Sequence, residues 1–145
     1  MLRVDIESML IDKSLKVADL PIVWNEQIKQ YLDLEVPDDS QGVLQDIHWS
    51  GGQFGTFCNY TIGNVMAAQL METMKKTNPE IQNDINQANY EPLLNWLTSN
   101  IHTHGRRYTR NELLERSTGE TLNPLPYINY LKGKASQVYG VKFND

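Results

Sequence analysis

The sequence is poor in the residues that several protein classes require. Among its 145 residues there is one cysteine, Cys58, which excludes an intrachain disulfide and is typical of a reducing compartment such as the cytoplasm. Its 13 Lys and Arg residues are outnumbered by 18 Asp and Glu residues and form no basic block, which argues against a nucleic-acid partner. No apolar run is long enough to span a bilayer, and no signal-peptide pattern is present. We therefore expect a cytoplasmic protein with neither a nucleic-acid nor a membrane partner.

Residues with marked chemistry are also few. No helix start or basic neighbour marks Cys58 as an activated thiol, so we expect a buried apolar cysteine rather than a nucleophile. His102 and His104 lie two residues apart near a predicted helix end, where side chains face different directions. Favourable charge at that helix end is the simpler explanation, and an independent metal site is the alternative. Arg106 and Arg107 follow directly and could bind a carboxylate or the exposed carbonyls.

What the sequence does contain is a succession of helical patterns with marked ends. Asp19 is a candidate N-cap for LPIVWNEQIKQYL, with Pro21 in the first turn. Thr109 and Glu112 predict a capping box, and Gly119 stands where that helix would end. The spacing of apolar residues predicts helices over 2–12, 20–32, a short segment around 43–47, 54–76, a short segment after 78, 91–104, 110–118 and 124–140. We expect an all-α fold, with residues 1–145 as a single multi-helix domain.

Two stripes run along the longest predicted helix. The first has the spacing of a core-facing side and consists of Ile62, Val65, Met66, Leu70 and Met74. The second carries small residues that would let a backbone or ligand approach, and consists of Tyr60, Gly63, Asn64, Ala67 and Met71. We therefore expect this helix to be buried on both sides. The last helix is predicted to carry one apolar side, through Leu125, Ile128, Leu131, Ala135 and Val138.

The segment GVLQDIHWSGGQFG, residues 42–55, concentrates polar and aromatic side chains against four glycines. Its glycine-rich end lacks the lysine and the spacing of a phosphate-binding loop. His48 follows Asp46 by two residues and precedes Trp49, on a turn whose glycines permit an unusual backbone path. The residues alone leave two interpretations open for His48, a functional imidazole in a cleft or a hydrogen-bonded core histidine.

Residues 42–49 resemble the G-x-x-Q-D-x-H-W signature of the thermostable Taq carboxypeptidase family of zinc metallocarboxypeptidases. The likeness continues in the same order over essentially the whole chain, through HWSGGQFGTFCNYTIGN, AAQL, PLLNWL, NIHTHGRRYT, ELLERSTGE and YLKGK…VYG. Thr56 and Cys58 depart from the family pattern, which has an aromatic residue and a proline there. If that aromatic residue lines the substrate cleft, substrate preference differs in this chain; if it only packs, nothing follows.

The resemblance implies a longer, mostly helical enzyme in which two histidines of an HExxH helix and a later glutamate hold one zinc ion. This sequence has three histidines and no HExxH, so it resembles a C-terminal portion of such an enzyme. The uncapped helical pattern from Leu2 suggests a chain that begins partway into a helix. We expect zinc, or another divalent metal such as cobalt, in the full-length enzyme and no metal bound by this chain alone.

The resemblance also implies roles for the site residues. The family removes the C-terminal amino acid from a peptide, with zinc and the HExxH glutamate activating water. His48 and Tyr60 are expected as catalytic residues that donate to the oxyanion or contact the substrate backbone. Asp46 could orient a histidine and Gln45 could bind substrate, or both could simply fix the local turn.

Trp49, Arg106 and Arg107 are the remaining candidates for substrate contact. The family is typically dimeric, so a homodimer is expected. The leading hypothesis is a metallocarboxypeptidase portion that supplies a cleft wall for a peptide substrate and is inactive alone. The alternative is a non-catalytic helical interaction or dimerisation module.

Overall fold

A computed structural model describes residues 2–143, and the regular secondary structure within that range is entirely helical. The α-helices of this range are α1 (Leu2–Ile11), α2 (Leu20–Leu32), α3 (Phe57–Thr77), α4 (Ile81–Asn86), α5 (Glu91–Asn100), α6 (Arg110–Thr118) and α7 (Leu125–Tyr139). Single 3₁₀ turns lie at Val17–Asp19, Asp39–Gln41, Val43–Gln45 and His102–His104. The predicted all-α class is confirmed. Among these helices, none combines the length and apolar character needed to cross a bilayer.

The chain divides into two compact units, one up to Thr61 and the other from Ile62. In the first unit α1 packs against α2, and α2 also contacts the Val43–Gln45 turn. Their shared core is a buried cluster of Ile6, Leu15, Trp24 and Val43. Partly buried apolar side chains surround it, among them Leu2, Met9, Leu10, Leu20, Val23, Ile28, Val36 and Trp49. This core holds the segment from residue 42 to 49 against two helices.

The helix α2 has the predicted bounds, but its first turn differs from the prediction. Asp19 occupies the N-cap position and its side chain makes no capping hydrogen bond, so the predicted side-chain cap is wrong. Pro21 in the first turn has no N–H to satisfy, which reduces the need for a cap. At the other end Asp33 adopts the left-handed conformation, with φ +55°, and ends the helix.

In the second unit, from Ile62, one buried polar residue organises a loop. Gln69 is 1% exposed, and its Nε2 donates to Thr118 Oγ1 at 3.1 Å and to the Thr121 carbonyl at 2.9 Å. Its Oε1 accepts the Asn123 N–H at 3.0 Å. One amide therefore pairs the polar groups of the connection between α6 and α7. The buried apolar residues of this unit are Val65, Met74, Ile81 and Leu114.

Both ends of α6 agree with the residues that predicted them. Thr109 and Glu112 form the predicted capping box, and Gly119 ends α6 with φ +85°. The predicted burial of both sides of α3 was wrong, because Tyr60, Gly63, Asn64 and Ala67 of the second stripe are exposed. The last helix has its predicted apolar side, and that side is exposed at Leu125, Ile128, Leu131 and Val138. Periodicity finds an apolar side but does not say what covers it.

Candidate functional site

The segment from residue 42 to 49, called the motif segment below, contains the 3₁₀ turn Val43–Gln45 instead of the predicted short helix, and a second turn, Asp39–Gln41, precedes it. Asp38 caps that preceding turn by accepting the Gln41 N–H at 3.0 Å. Gly42 then packs so closely that a Cβ would lie 2.7 Å from Val36 Cγ1 and 3.2 Å from the Asp38 carbonyl oxygen. A glycine is therefore required for packing where the motif begins.

Asp46 fixes the turn that carries the histidine. Its side chain is completely buried, and Oδ1 accepts the His48 N–H at 2.8 Å and the Trp49 N–H at 3.2 Å. After it, Gly51 N–H donates to the His48 carbonyl, and Gly52 adopts φ +72°. The carboxylate thus substitutes for a backbone acceptor and holds two consecutive N–H groups.

A cation from α1 accompanies this buried carboxylate. Arg3 Nε lies 3.0 Å from Asp46 Oδ2, and the Arg3 side chain remains 39% exposed. The same guanidinium lies over the rings of Phe57 and Trp24, with its carbon 5.3 Å and 5.8 Å from the two centroids. A buried carboxylate needs such a partner, because an isolated charge inside a protein is costly.

The His48 ring is 20% exposed and faces Tyr60 of the first turns of α3. Its Nε2 lies 3.3 Å from the Tyr60 hydroxyl, while Tyr60 itself is 62% exposed. Nδ1 is buried without a hydrogen-bond partner and lies 3.6 Å from Asp46 Oδ1, too far for a hydrogen bond. The ring is therefore held between a carboxylate and an accessible phenol.

Aromatic rings hold the remaining sides of this site. Phe57 meets the His48 ring edge-on at 4.9 Å and the Trp49 ring edge-on at 5.8 Å between centroids. Trp49 also meets Trp24 edge-on at 6.1 Å, and its buried Nε1 has no hydrogen-bond partner. Edge-to-face contacts of this kind fix ring orientation as well as burying area.

Sequence reasoning missed three members of this site, namely Arg3, Trp24 and Phe57. Phe57 could have been found, because it stands three residues before Tyr60 and shares its helix face. Trp24 lies within the predicted helix 20–32, but the sequence does not indicate which rings it meets. Nothing in the spacing of the sequence connects Arg3 to Asp46, since that contact depends on the packing of α1.

One residue near the site, Cys58, differs from its prediction, and Gln45 matches one of its two open interpretations. Cys58 is exposed, not buried, and it lies in the first turn of α3 rather than away from a helix start. α3 begins at Phe57, three residues after the predicted start, because Gly55 with φ +75° precedes it. Gln45 is exposed, and its Nε2 donates to the Ser40 carbonyl, which supports the local turn.

The remaining candidates lie in the second unit. His102 and His104 stand in one 3₁₀ turn that ends at Gly105, and exposed Arg106 and Arg107 follow. The His104 ring meets Tyr108 edge-on at 5.4 Å. Within residues 2–143 no three His, Cys, Asp or Glu side chains are grouped so that they could hold a metal ion.

A groove of about 430 Å³ also opens in the second unit, beside α3 and α7. It is lined by Asn64, Ala67, Ala68, Met71, Glu72, Lys75, Pro126, Tyr127 and Tyr130. The stripe of small residues on α3 therefore borders an open groove instead of a packed neighbour.

Comparison with known proteins gives one consistent answer. The sequence matches the family described as carboxypeptidase Taq (M32) metallopeptidase over residues 1–135. It is 37% identical to carboxypeptidase 1 of Bacillus subtilis over 95% of this chain, and 34% identical to thermostable carboxypeptidase 1 of Thermus thermophilus over 97%. The structure matches the M32 carboxypeptidase of Deinococcus radiodurans with a TM-score of 0.90 and 40% identity over 97% of this chain.

These relatives are much longer than the chain. It covers 28% of each of the two curated carboxypeptidases and 28% of the Deinococcus radiodurans chain. A metallocarboxypeptidase of Trypanosoma cruzi gives the same proportion, with a TM-score of 0.86 over 92% of this chain. Sequence and backbone therefore agree over nearly every residue, and the chain belongs to the carboxypeptidase Taq (M32) metallopeptidase family.

Proposed function

We propose that this chain supplies one wall of the substrate cleft of a metallocarboxypeptidase that removes the C-terminal amino acid from peptides. Family membership supports the hydrolase class, and the share of 28% supports a contribution to a larger catalytic unit. We place that enzyme in the cytoplasm, in keeping with the single cysteine. The His48–Tyr60 pair, 3.3 Å apart, is the observation that carries the proposed role in catalysis.

The family implies a divalent metal, which we take to be zinc, and the residues described do not fit one. No group of metal-ligating side chains occurs within residues 2–143, and the whole sequence has three histidines and no HExxH. We propose that the metal ligands and the general base belong to other residues of a longer enzyme. The chain alone is then expected to be inactive.

The tautomer of His48 determines what the pair can donate. A neutral imidazole carries one proton, and the Asp46 carboxylate 3.6 Å from Nδ1 favours the proton on that nitrogen. Nε2 then accepts a hydrogen bond from the Tyr60 hydroxyl. In the charged form of the ring both nitrogens donate, so Nε2 can donate to an oxygen in the cleft.

Attack on a scissile carbonyl places negative charge on its oxygen, and donors aimed at that oxygen lower the barrier. The exposed hydroxyl of Tyr60 can turn from His48 to this oxygen, and the charged His48 ring can donate beside it. Both groups would act as catalytic residues. The His48 ring is preorganised for this role, because Asp46 holds its backbone N–H and Phe57 packs edge-on against the ring.

The other candidate residues receive smaller roles. Asp46 orients the turn, in keeping with the two N–H groups that it accepts. Trp49 packs between aromatic rings and shapes the wall, and Gln45 supports the turn through Ser40. The exposed guanidinium groups of Arg106 and Arg107 remain proposed contacts for a substrate carboxylate.

Replacing the matching segment of Bacillus subtilis carboxypeptidase 1 by residues 1–145 tests this function. We expect the chimaera to release C-terminal residues from a blocked dipeptide, and the isolated chain with added zinc to release none. His48→Gln and Tyr60→Phe should each lower kcat about 10²-fold, the usual effect of removing one oxyanion donor. The matched changes His102→Gln and Tyr139→Phe should leave kcat unchanged. Zinc-dependent release by the chain alone, or full kcat in both site variants, would contradict the proposal.

The exposed apolar side of α7 favours a second function, self-association as a helical module or as the homodimer contact of the longer enzyme. Leu125, Ile128 and Leu131 are 58%, 42% and 46% exposed. Sedimentation equilibrium of the chain should then show dimers that Ile128→Asp and Leu131→Asp convert to monomers. A monomeric wild-type chain at high concentration would remove this function.

A further inference from the structure

The ion pair between Arg3 and Asp46 connects α1 to the motif segment. Asp46 Oδ2 has no exposed surface and lies 3.0 Å from Arg3 Nε, while Oδ1 of the same carboxylate holds the N–H groups of His48 and Trp49. The two carboxylate oxygens therefore have different partners. Oδ1 accepts the N–H groups of the histidine turn, and Oδ2 pairs with Arg3, which holds the Asp46 side chain in place.

The Arg3 guanidinium also lies over two aromatic rings, one of which meets the histidine. Its carbon lies 5.3 Å from the Phe57 ring centroid, and Phe57 in turn meets His48 edge-on at 4.9 Å. The same carbon lies 5.8 Å from the ring centroid of Trp24, a core residue of α2. A planar guanidinium can combine an ion pair with contacts to aromatic rings, which the compact ammonium of lysine does less well.

We propose that Arg3 is a positioning residue for the site: through its ion pair with Asp46 it sets the His48 ring against the Tyr60 hydroxyl. Arg3 touches neither ring nitrogen of His48, so its influence passes through Asp46 and Phe57. An effect of Arg3 on peptide hydrolysis rests on the proposed function. The position of the His48 ring can be observed in the chain alone, so this part of the proposal is independent of that function.

The three histidines of the sequence make the test direct, since each gives one Cε1–Hε1 signal in a ¹H–¹³C spectrum. Arg3→Met should move the His48 signal toward its position in the urea-unfolded chain and remove the contact between the His48 and Tyr60 rings from a NOESY spectrum. The signals of His102 and His104 serve as internal controls and should stay in place. Lys13→Met, which removes an exposed cation beyond α1, should move none of the three.

A double-mutant cycle separates positioning through Asp46 from a general effect on packing. Asp46→Asn keeps an oxygen for the two N–H groups but loses the charge that Arg3 meets. In that background Arg3→Met should move the His48 signal little further, because the shared contact is already gone. If Arg3→Met proves unfolded, Arg3→Lys takes its place, with the same expectation of a shift in the wild-type background and almost none beside Asp46→Asn.

The proposal is overturned if the His48 signal stays in place in both Arg3 variants, if all three histidine signals move together in a folded variant, or if the shifts simply add in the cycle. In the chimaera with Bacillus subtilis carboxypeptidase 1, Arg3→Met should lower kcat about 10- to 100-fold, as loss of a residue supporting a catalytic group does, with KM little changed. An inactive chimaera would count against the proposed function and leave the spectra to decide the role of Arg3.

Discussion

The two units of the chain bury polar side chains in different ways. In the unit from Ile62, buried Gln69 pairs both its amide nitrogen and its oxygen, and no buried side-chain N or O lacks a hydrogen-bond partner among the residues described there. In the unit up to Thr61 such atoms occur on Glu7, Asn25, Gln27, His48, Trp49 and Thr56, and the buried Asp46 Oδ2 has only its ion pair with Arg3. Each unpaired buried group costs about 1–3 kcal/mol.

Under the proposed function, the difference separates polar residues that build the fold, such as Gln69, from polar residues of the candidate site, such as His48. A fully paired amide stabilises a loop and leaves nothing to offer a ligand. An imidazole with one nitrogen unpaired and the other facing an exposed phenol retains capacity for another partner. The cost of such atoms is tolerated at functional sites and selected against elsewhere.

The largest effect on stability is expected at Gln69. Gln69→Leu keeps a similar volume but removes the partners of the Thr121 carbonyl and the Asn123 N–H, so we expect it to lower the free energy of unfolding by about 2–4 kcal/mol. Urea denaturation followed by circular dichroism measures this. The control Gln82→Leu, on the exposed side of α4, should cost less than about 0.5 kcal/mol. Equal effects in the two variants would break the comparison.

Glycine substitutions give the next effect, with opposite signs in the two units. Gly42→Ala would place a Cβ 2.7 Å from Val36 Cγ1, and overpacking of this kind costs about 1–3 kcal/mol. Gly63→Ala, within α3 and with nothing within 4 Å of its Cβ position, should raise stability by about 0.5–1 kcal/mol. Both values come from the midpoint of thermal or urea unfolding.

A second change identifies the cause of the Gly42 effect. In a chain that already carries Val36→Ala, Gly42→Ala should cost less than in the wild type, because the nearest atom has been removed. The Asp38 carbonyl at 3.2 Å would still limit the relief. An unchanged cost would show that the contact with Val36 is not responsible.

Local signals in the sequence predicted a good part of this fold. Helix α2 has its predicted bounds and the capping box of α6 is present, because a proline, a glycine or a Thr/Glu pair acts within one turn. The exposed side of α3 was mispredicted as buried, because periodicity reports which residues share a side and not what packs on them. The Asp19 side chain does not form the expected capping hydrogen bond. Pro21 in the same turn leaves fewer N–H groups that need a partner.

The candidate site was predictable in its centre and not at its edge. His48, Asp46 and Tyr60 stand within one motif and the next helix turn, and the structure brings them together. Arg3 is more than forty positions away from Asp46 in the chain, and only the packing of α1 brings it to that carboxylate. The roles of His48 and Tyr60 in catalysis stay predictions, which the assay of the chimaera tests.

The smallest effect is a dependence on pH that the two units should share. The Thr109 hydroxyl and N–H hold the pKa of Glu112 below its ordinary value, and the Ser40 and Gln41 side chains do the same for Asp38. A lowered folded-state pKa stabilises the fold above the unfolded value and loses that contribution as pH falls through the folded value. Glu112→Gln and Asp38→Asn should therefore each make unfolding slightly less sensitive to acid.

Comparing urea midpoints from neutral pH to below the ordinary carboxylate range measures this sensitivity for each variant. Because both groups are fully exposed, we expect small losses at neutral pH that shrink toward zero in acid. Similar profiles for the two variants would show that exposed caps behave alike in both units, which confines the difference between the units to their buried polar groups. A much steeper profile for the Asp38 variant would instead mean that acid acts on the motif segment through its preceding turn.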